Sequence, residues 1–365
     1  MARKYFPKSV EELVIWYQHY ISPLSLVAGF LSDNLFLTKR VDLLRTNLLL
    51  LFYLLVCAFG IVAINMIAAG RVKHLRIVKM APIISIFVQF AFGGLFSGYL
   101  SLYSRSASLA TSWIFVIVLA ALLLGNERFM RFYSHFPFQI SLYFGSLFSF
   151  LIFYLSVVFH TIGPQMFLVS GGVSLAIITI FLMGLYRLVP EIVKKNRTRV
   201  ARSIVIIYLA FNALYFGNLI PPLPLAIKDA GVYHGVIHES DGTYQLTGEV
   251  LPWYQDYLNY NDTFHQVPGD PVYVYTAIFA PNDLSTTIEY QWQENSQGKW
   301  VTTDTLSFPI LGGREAGYEG YTVKSNVTAG DWRVNVITSY GQLIGRVTFS
   351  VVEIPSEPQL VVTSK

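Results

Sequence analysis

From residue 45 to residue 222 the chain repeats apolar runs of about twenty residues, the length a helix needs to cross a hydrocarbon core of about 30 Å. The runs fall at about 45–69, 80–100, 107–126, 138–160, 166–187 and 203–222, with a weaker one at 21–38. They predict about seven transmembrane helices, the first resting on the weak run. Pro221-Pro222-Leu223-Pro224 then stops the last helix, and the period changes to two. Ile288, Tyr290 and Trp292 alternate with Glu289, Gln291 and Gln293, and Trp332, Val334, Val336 and Val347, Phe349, Val351 repeat the alternation. Asn295-Ser296-Gln297-Gly298 and Ser339-Tyr340-Gly341-Gln342 supply turns between such runs. Short strands at this spacing predict an all-β immunoglobulin-like sandwich. The expected organisation is a polytopic helical domain over 1–228 and a β domain over 229–365.

Charge sharpens this division. Residues 1–228 carry 20 Lys and Arg against 6 Asp and Glu, and residues 229–365 carry 6 against 16, so the halves are +14 and −10 within a net +4. Hydrophobic residues make up 53% of the chain and charged ones 13%, about half the globular norm. With seven spans and a cytoplasmic N-terminus, 15 loop cations fall inside and 5 outside, as the positive-inside rule requires. Without the span at 21–38 the counts become 12 and 8. Either count predicts a multi-pass membrane protein with a cytoplasmic N-terminus and its acidic C-terminal domain outside the cytoplasm. No cleavable signal peptide is expected, because residues 1–20 lack an apolar core and cleavage site. Ser9-Val-Glu-Glu12 fits a capping box for a helix that either lies in the membrane interface or extends the first span. The basic residues are spread over membrane loops, so no nucleic-acid partner is expected. The one cysteine, Cys57, allows no intramolecular disulfide and no thiolate metal pair.

Ionisable or amide side chains at bilayer depth are candidate functional groups. Asp33 and Asn34, at the end of the weak span, and Gln89, in the third, form the candidate intramembrane site. Asp33 either pairs, holds a cation or relays a proton there, or it sits at the headgroup level. Gln89 belongs to a series with Gly93, Gly94, Ser97, Gly98 and Ser101 that reads first as helix packing; Gly171 and Gly172 read the same way. Asn65, Gln139, Gln165, Asn212, Asn218 and His160 are scattered near helix ends. No catalytic constellation, metal set or cofactor motif is found.

In the β half, Trp292, Gly312-Gly313-Arg314-Glu315-Ala316-Gly317-Tyr318, Asp331-Trp332-Arg333-Val334 and Gly341-Gln342-Leu343-Ile344-Gly345-Arg346-Val347-Thr348-Phe349 resemble the bacterial family catalogued as domain of unknown function 2914, over roughly 272–352. The resemblance implies a bacterial envelope protein and carries no catalytic role. Gly312-Gly313 is expected to turn with positive φ. Arg314, Arg333 and Arg346 either pair with Glu315, Glu319 or Asp331, or line a site for a carboxylate or phosphate on an envelope glycan. Tyr318 joins this candidate surface, as do Trp253 and Tyr257 from the aromatic segment Trp253 to Phe264, which either stacks on sugars, meets the membrane or covers the sheet edge. His234 and His238 are about 13 Å apart if they lie on a strand, which disfavours a shared metal.

The expected function is therefore a non-enzymatic membrane protein, embedded in the lipid bilayer, that presents a β-sandwich interaction module to an envelope protein or glycan. The alternative is a transporter or channel with an accessory periplasmic domain. Oligomeric state is not encoded in these patterns.

Overall fold

The computed structural model describes residues 42–106, 112–126, 132, 135–222, 224–250, 263–314 and 317–365. These form two compact units, one of helices and one, from Pro221 onward, of strands. The expected span at 21–38, the capping box at Ser9 and the candidates Asp33, Asn34, Trp253 and Tyr257 lie outside the described residues.

The helical unit contains α1 (Leu44–Ala68), α2 (Leu75–Lys79), α3 (Ala81–Ser106), α4 (Trp113–Gly125), α5 (Phe136–Val158), α6 (Pro164–Leu188) and α7 (Pro190–Phe216). Five of them, α1, α3, α5, α6 and α7, are long and apolar enough to cross a membrane. The described part of the 107–126 run is the shorter α4. The stretch between the apolar runs 166–187 and 203–222 is helical from Pro190 onward, as the first half of α7. Pro190 suits the first helical turn, where its missing N–H costs nothing, and Lys194, Lys195, Arg197, Arg199, Ala201 and Arg202 are good helix formers.

Polar side chains fasten these helices together. Asn65 of α1 donates to Gln139 Oε1 of α5 at 2.6 Å, both buried, an interhelical amide pair of the kind that stabilises bundles in lipid. The hydroxyls of Tyr99 and Tyr103 on α3 donate to the backbone oxygens of Ser146 and Ser149 on α5. Helix α5, which accepts these bonds and packs against α1, α6 and α7, is the most buried of the five long helices. Gly94 admits the Tyr53 ring and Gly171 admits Tyr208 and Phe148, since a Cβ at either glycine would collide with those rings. Among the described residues nothing lies within 4 Å of a Cβ at Gly172, so no close approach is found there.

The second unit has eleven strands among its described residues: β1 (Ala226–Tyr233), β2 (Gly235–His238), β3 (Tyr244–Glu249), β4 (Thr263–Gln266), β5 (Val272–Phe279), β6 (Ser285–Ser296), β7 (Lys299–Leu311), β8 (Tyr318–Lys324), β9 (Gly330–Thr338), β10 (Leu343–Glu353) and β11 (Leu360–Ser364). They form sheets ordered β4-β10-β9-β6-β7, β1-β5-β8 and β11-β3-β2. Pairing is antiparallel except between β4 and β10. Tyr290, Trp292, Trp332, Val334, Val336, Phe349 and Val351 meet Val272, Val274 and Ile278 in one core, so the alternating positions of β6, β9 and β10 supply one wall and β5 supplies the other. Phe264, the last residue of the aromatic segment expected to stack on sugars, meet the membrane or cover the sheet edge, is inside this core.

The two glycines after β7 have different duties. Gly313 has φ +113, the conformation the pair was expected to adopt, whereas Gly312 is required for close approach: a Cβ there would lie 1.8 Å from the Pro281 carbonyl oxygen. Gly312→Ala is expected to destabilise the β unit by about 2–3 kcal/mol, seen as a lower urea midpoint of its near-UV signal.

Candidate functional site

In an antiparallel ladder, residues two apart share a face, so burying Trp332, Val334 and Val336 places Arg333 and Asn335 on the other side of the five-stranded sheet. The register sets Gln293 opposite Arg333 and Gln291 opposite Asn335, and Arg346 opposite Asn335 on the other flank. The result is a patch of amides between two guanidiniums.

Its hydrogen bonds form one lattice. Arg333 Nε donates to Gln293 Oε1 at 2.6 Å, and Arg346 Nε donates to Asn335 Oδ1 at 2.6 Å. Asn335 Nδ2 donates to Gln291 and Gln293, and Gln293 Nε2 to Gln291 and Thr302. Gln293 and Asn335 are buried at 9% and 5% exposure while both arginines remain partly exposed. The guanidinium of Arg333 lies 4.2 Å from the centroid of the Trp300 ring, a cation–π arrangement that fixes its plane. Thus each arginine uses Nε to hold its position. Among the described residues the Nη groups have no hydrogen-bond partner and no carboxylate within ion-pair distance.

The expected internal pairing of these arginines is therefore not found among the described residues. Asp331 accepts a bond from Ser350 Oγ, Glu319 accepts one from the Tyr275 hydroxyl, and Glu315 lies outside the described residues. Burial, then the neighbouring Arg346 cation, lowers the pKa of Arg333, and burial lowers that of Arg346. A guanidinium stays protonated nonetheless, so two like charges share a partly desolvated surface with no carboxylate partner among the described residues.

The other predicted residues fall elsewhere. Arg314 sits 5.6 Å from the centroid of the Tyr318 ring, and Tyr318, on β8 in the three-stranded sheet, packs against the core. Neither joins the Arg333–Arg346 patch. In the helices, Gln89 exchanges hydrogen bonds with Asn126 through side chain and backbone, while its own Oε1 is buried without a partner among the described residues.

Sequence reasoning missed a second cluster. Glu249, at the end of β3 and 9% exposed, accepts from His234 Nε2 at 3.3 Å, from the His265 backbone N–H at 2.7 Å, and bonds His265 Nδ1 at 2.7 Å. His234 stacks on Phe264 at 4.3 Å, while His238 instead contacts Tyr244. Burial pushes the Glu249 carboxyl up, but the bonds from His234 and His265 outweigh it and hold the group below the usual carboxylate range. No group of three or more metal-type ligands is assembled among the described residues. The cluster instead ties β3 to β4 and to the β1–β2 connection.

Every member of the arginine patch lies in one continuous segment. Residues 285–351 match the family described as protein of unknown function DUF2914. The DUF2914 segment runs from β6 to β10 and contains Gln291, Gln293, Trp300, Thr302, Arg333, Asn335 and Arg346; Glu249, His234 and His265 lie before it. It begins later than the 272 expected from the motifs. No curated protein matches the chain. Among solved structures, the chain is similar to the Pseudomonas fluorescens alkylpurine DNA glycosylase AlkC bound to DNA containing an abasic site analog, at 10% identity over 81% of this chain and 98% of that one. The TM-score of 0.23 carries no argument about fold or activity.

Proposed function

We propose that this chain is a non-enzymatic bacterial inner-membrane protein whose seven helices present an immunoglobulin-like sandwich to the periplasm, and that the sandwich binds an anionic group on an envelope protein or glycan through Arg333 and Arg346. The observation that carries the reading is the pair of guanidiniums held by Nε to Gln293 and Asn335 with no carboxylate partner among the described residues. Preorganised Nη groups suit a bidentate carboxylate or phosphate, and an anion there would relieve the repulsion between the two cations. Trp300, already stacked with Arg333, stiffens the site and offers an apolar edge to a sugar ring. The orientation rests on loop charge: if α1 and α3 to α7 each cross and the five-residue α2 does not, Arg71, Lys73 and Lys79 lie on the same side as the basic start of α7, and the chain enters the β unit from the other side. The transporter reading has in Gln89 a side chain whose Nε2 is bonded to the Asn126 backbone oxygen.

Calorimetric titration of the full chain in nanodiscs with oligogalacturonate and with inorganic phosphate tests the binding claim. Saturable binding of one or both is expected, weakened about tenfold or more by Arg333→Gln or Arg346→Gln and by raised salt. Equal binding by wild type and the double variant, or none by wild type, would remove the claim.

A further inference from the structure

Helix α7 carries a feature that the β-domain reading does not use. Lys195, Arg199, Arg202, Ile206, Leu209, Ala213 and Phe216 follow one another at spacings of four and three, so they form a single stripe along the helix. All seven are exposed, whereas the residues that α7 buries, Val200 and Tyr215, lie off the stripe. The stripe is cationic over its first three positions and apolar over the last four. None of its cations has a carboxylate within ion-pair distance among the described residues. Glu191, the acid in the first turn, is engaged by Arg71 at 2.7 Å.

We propose that Lys195, Arg199 and Arg202 bind the phosphodiester headgroup of an anionic phospholipid in the leaflet at the N-terminal end of α7, with an acyl chain running along Ile206 and Leu209. Length supports this placement. A 27-residue helix spans about 40 Å, and a hydrocarbon core of about 30 Å takes up about 20 residues of it. With Phe216 at one boundary, the other falls near residue 197, so the backbones of Arg199 and Arg202 lie just inside the core. Helical side chains lean toward the N-terminus, and arginine stems carry their charge back to the interface. Both guanidiniums thus reach the level of the lipid phosphates, whose oxygens offer charge-assisted partners to cations that have no carboxylate partner among the described residues. The apolar part of the stripe continues from Arg202 without a turn of offset, as an amphiphile with its head on the cations requires. Lys194 is engaged differently, 5.7 Å from the centroid of the Tyr186 ring, and with Arg197 it projects off the stripe.

The full chain reconstituted in mixed phosphatidylcholine and phosphatidylglycerol vesicles, then extracted in neutral detergent, allows the retained lipid to be measured by native mass spectrometry. Wild type is expected to retain phosphatidylglycerol in excess of its bulk ratio, by about fivefold per cation engaged. Arg199→Gln with Arg202→Gln should lose that excess, while Lys194→Gln with Arg197→Gln, an equal change in charge, should keep it. Equal loss in both variants would reduce the effect to general charge attraction and overturn the site, as would no excess in wild type. Displacement of the lipid by free inorganic phosphate would overturn the lipid as its source. Should the first double variant lose its helical circular dichroism, Arg202→Gln alone must still lower the excess; an unchanged excess would count against the site.

Discussion

Trp292→Ala is expected to unfold the β unit under conditions where wild type is folded, leaving the helices in place. The indole is fully buried. It meets Trp332 and Phe349 edge-on, at centroid distances of 6.4 and 6.3 Å, and its Nε1–H donates to Thr322 Oγ1 on β8. That bond links the five-stranded sheet to the β1-β5-β8 sheet, so truncation opens a cavity in the shared core and orphans a buried hydroxyl. Replacements of this kind cost about 3–5 kcal/mol, against a total of about 5–15 for a domain. Near-UV circular dichroism in urea should show the β transition moving far below wild type, with the far-UV helical signal retained. Trp292→Phe, which restores most of the volume but not the donor, should fall between the two.

The second large effect is expected at Glu249. Glu249→Ala removes the acceptor of the His265 backbone N–H and of the contacts to both imidazoles, a loss of about 2–4 kcal/mol at neutral pH. Acid should reproduce part of it in wild type. The folded carboxyl titrates below its ordinary value of 4.5, so its contribution is fully present above pH 4.5 and disappears as pH falls through the lower folded value. His234 and His265 are the titratable groups facing it. Thermal melts from pH 7 down to pH 3 should show this extra acid sensitivity in wild type and its absence in Glu249→Gln, which is less stable from the start.

The elements legible in the sequence were those with one strong period. Twenty-residue apolar runs gave α1, α3, α5 and α6, and alternation gave the buried rows of β6, β9 and β10 because one face of each strand is wet. Helix α7 was cut short because hydropathy ends at its cations, whereas helical hydrogen bonding continues through Lys194 and Arg197. The arginine patch was half visible. Arg333 and Arg346 stood out by charge in an acidic domain, but their shared partners depend on cross-strand register. Trp300 was within reach, since the Gln297-Gly298 turn places it opposite Asn295. Arg314 and Tyr318 were grouped with the patch on charge and aromaticity alone, and the sheet order separates them. The Glu249 cluster joins residues 15 and 16 positions apart in sequence, on two strands and the β1–β2 connection, a proximity that no local pattern encodes. Asn65 and Gln139, 74 residues apart, were likewise legible as polar residues and not as a pair.

The buried position of Cys57 makes the chain its own background for cysteine labelling, and this gives the most direct test of the proposed orientation. Thr348, on the arginine face, and Thr198, on the basic turn of α7 but off its stripe, are both exposed. In intact spheroplasts a membrane-impermeant maleimide should label Thr348→Cys readily, and Thr198→Cys only after the membrane is opened. Acidic oligosaccharide should slow the labelling at 348. Labelling of Thr198→Cys in intact spheroplasts with Thr348→Cys protected would place the β unit in the cytoplasm and contradict the account.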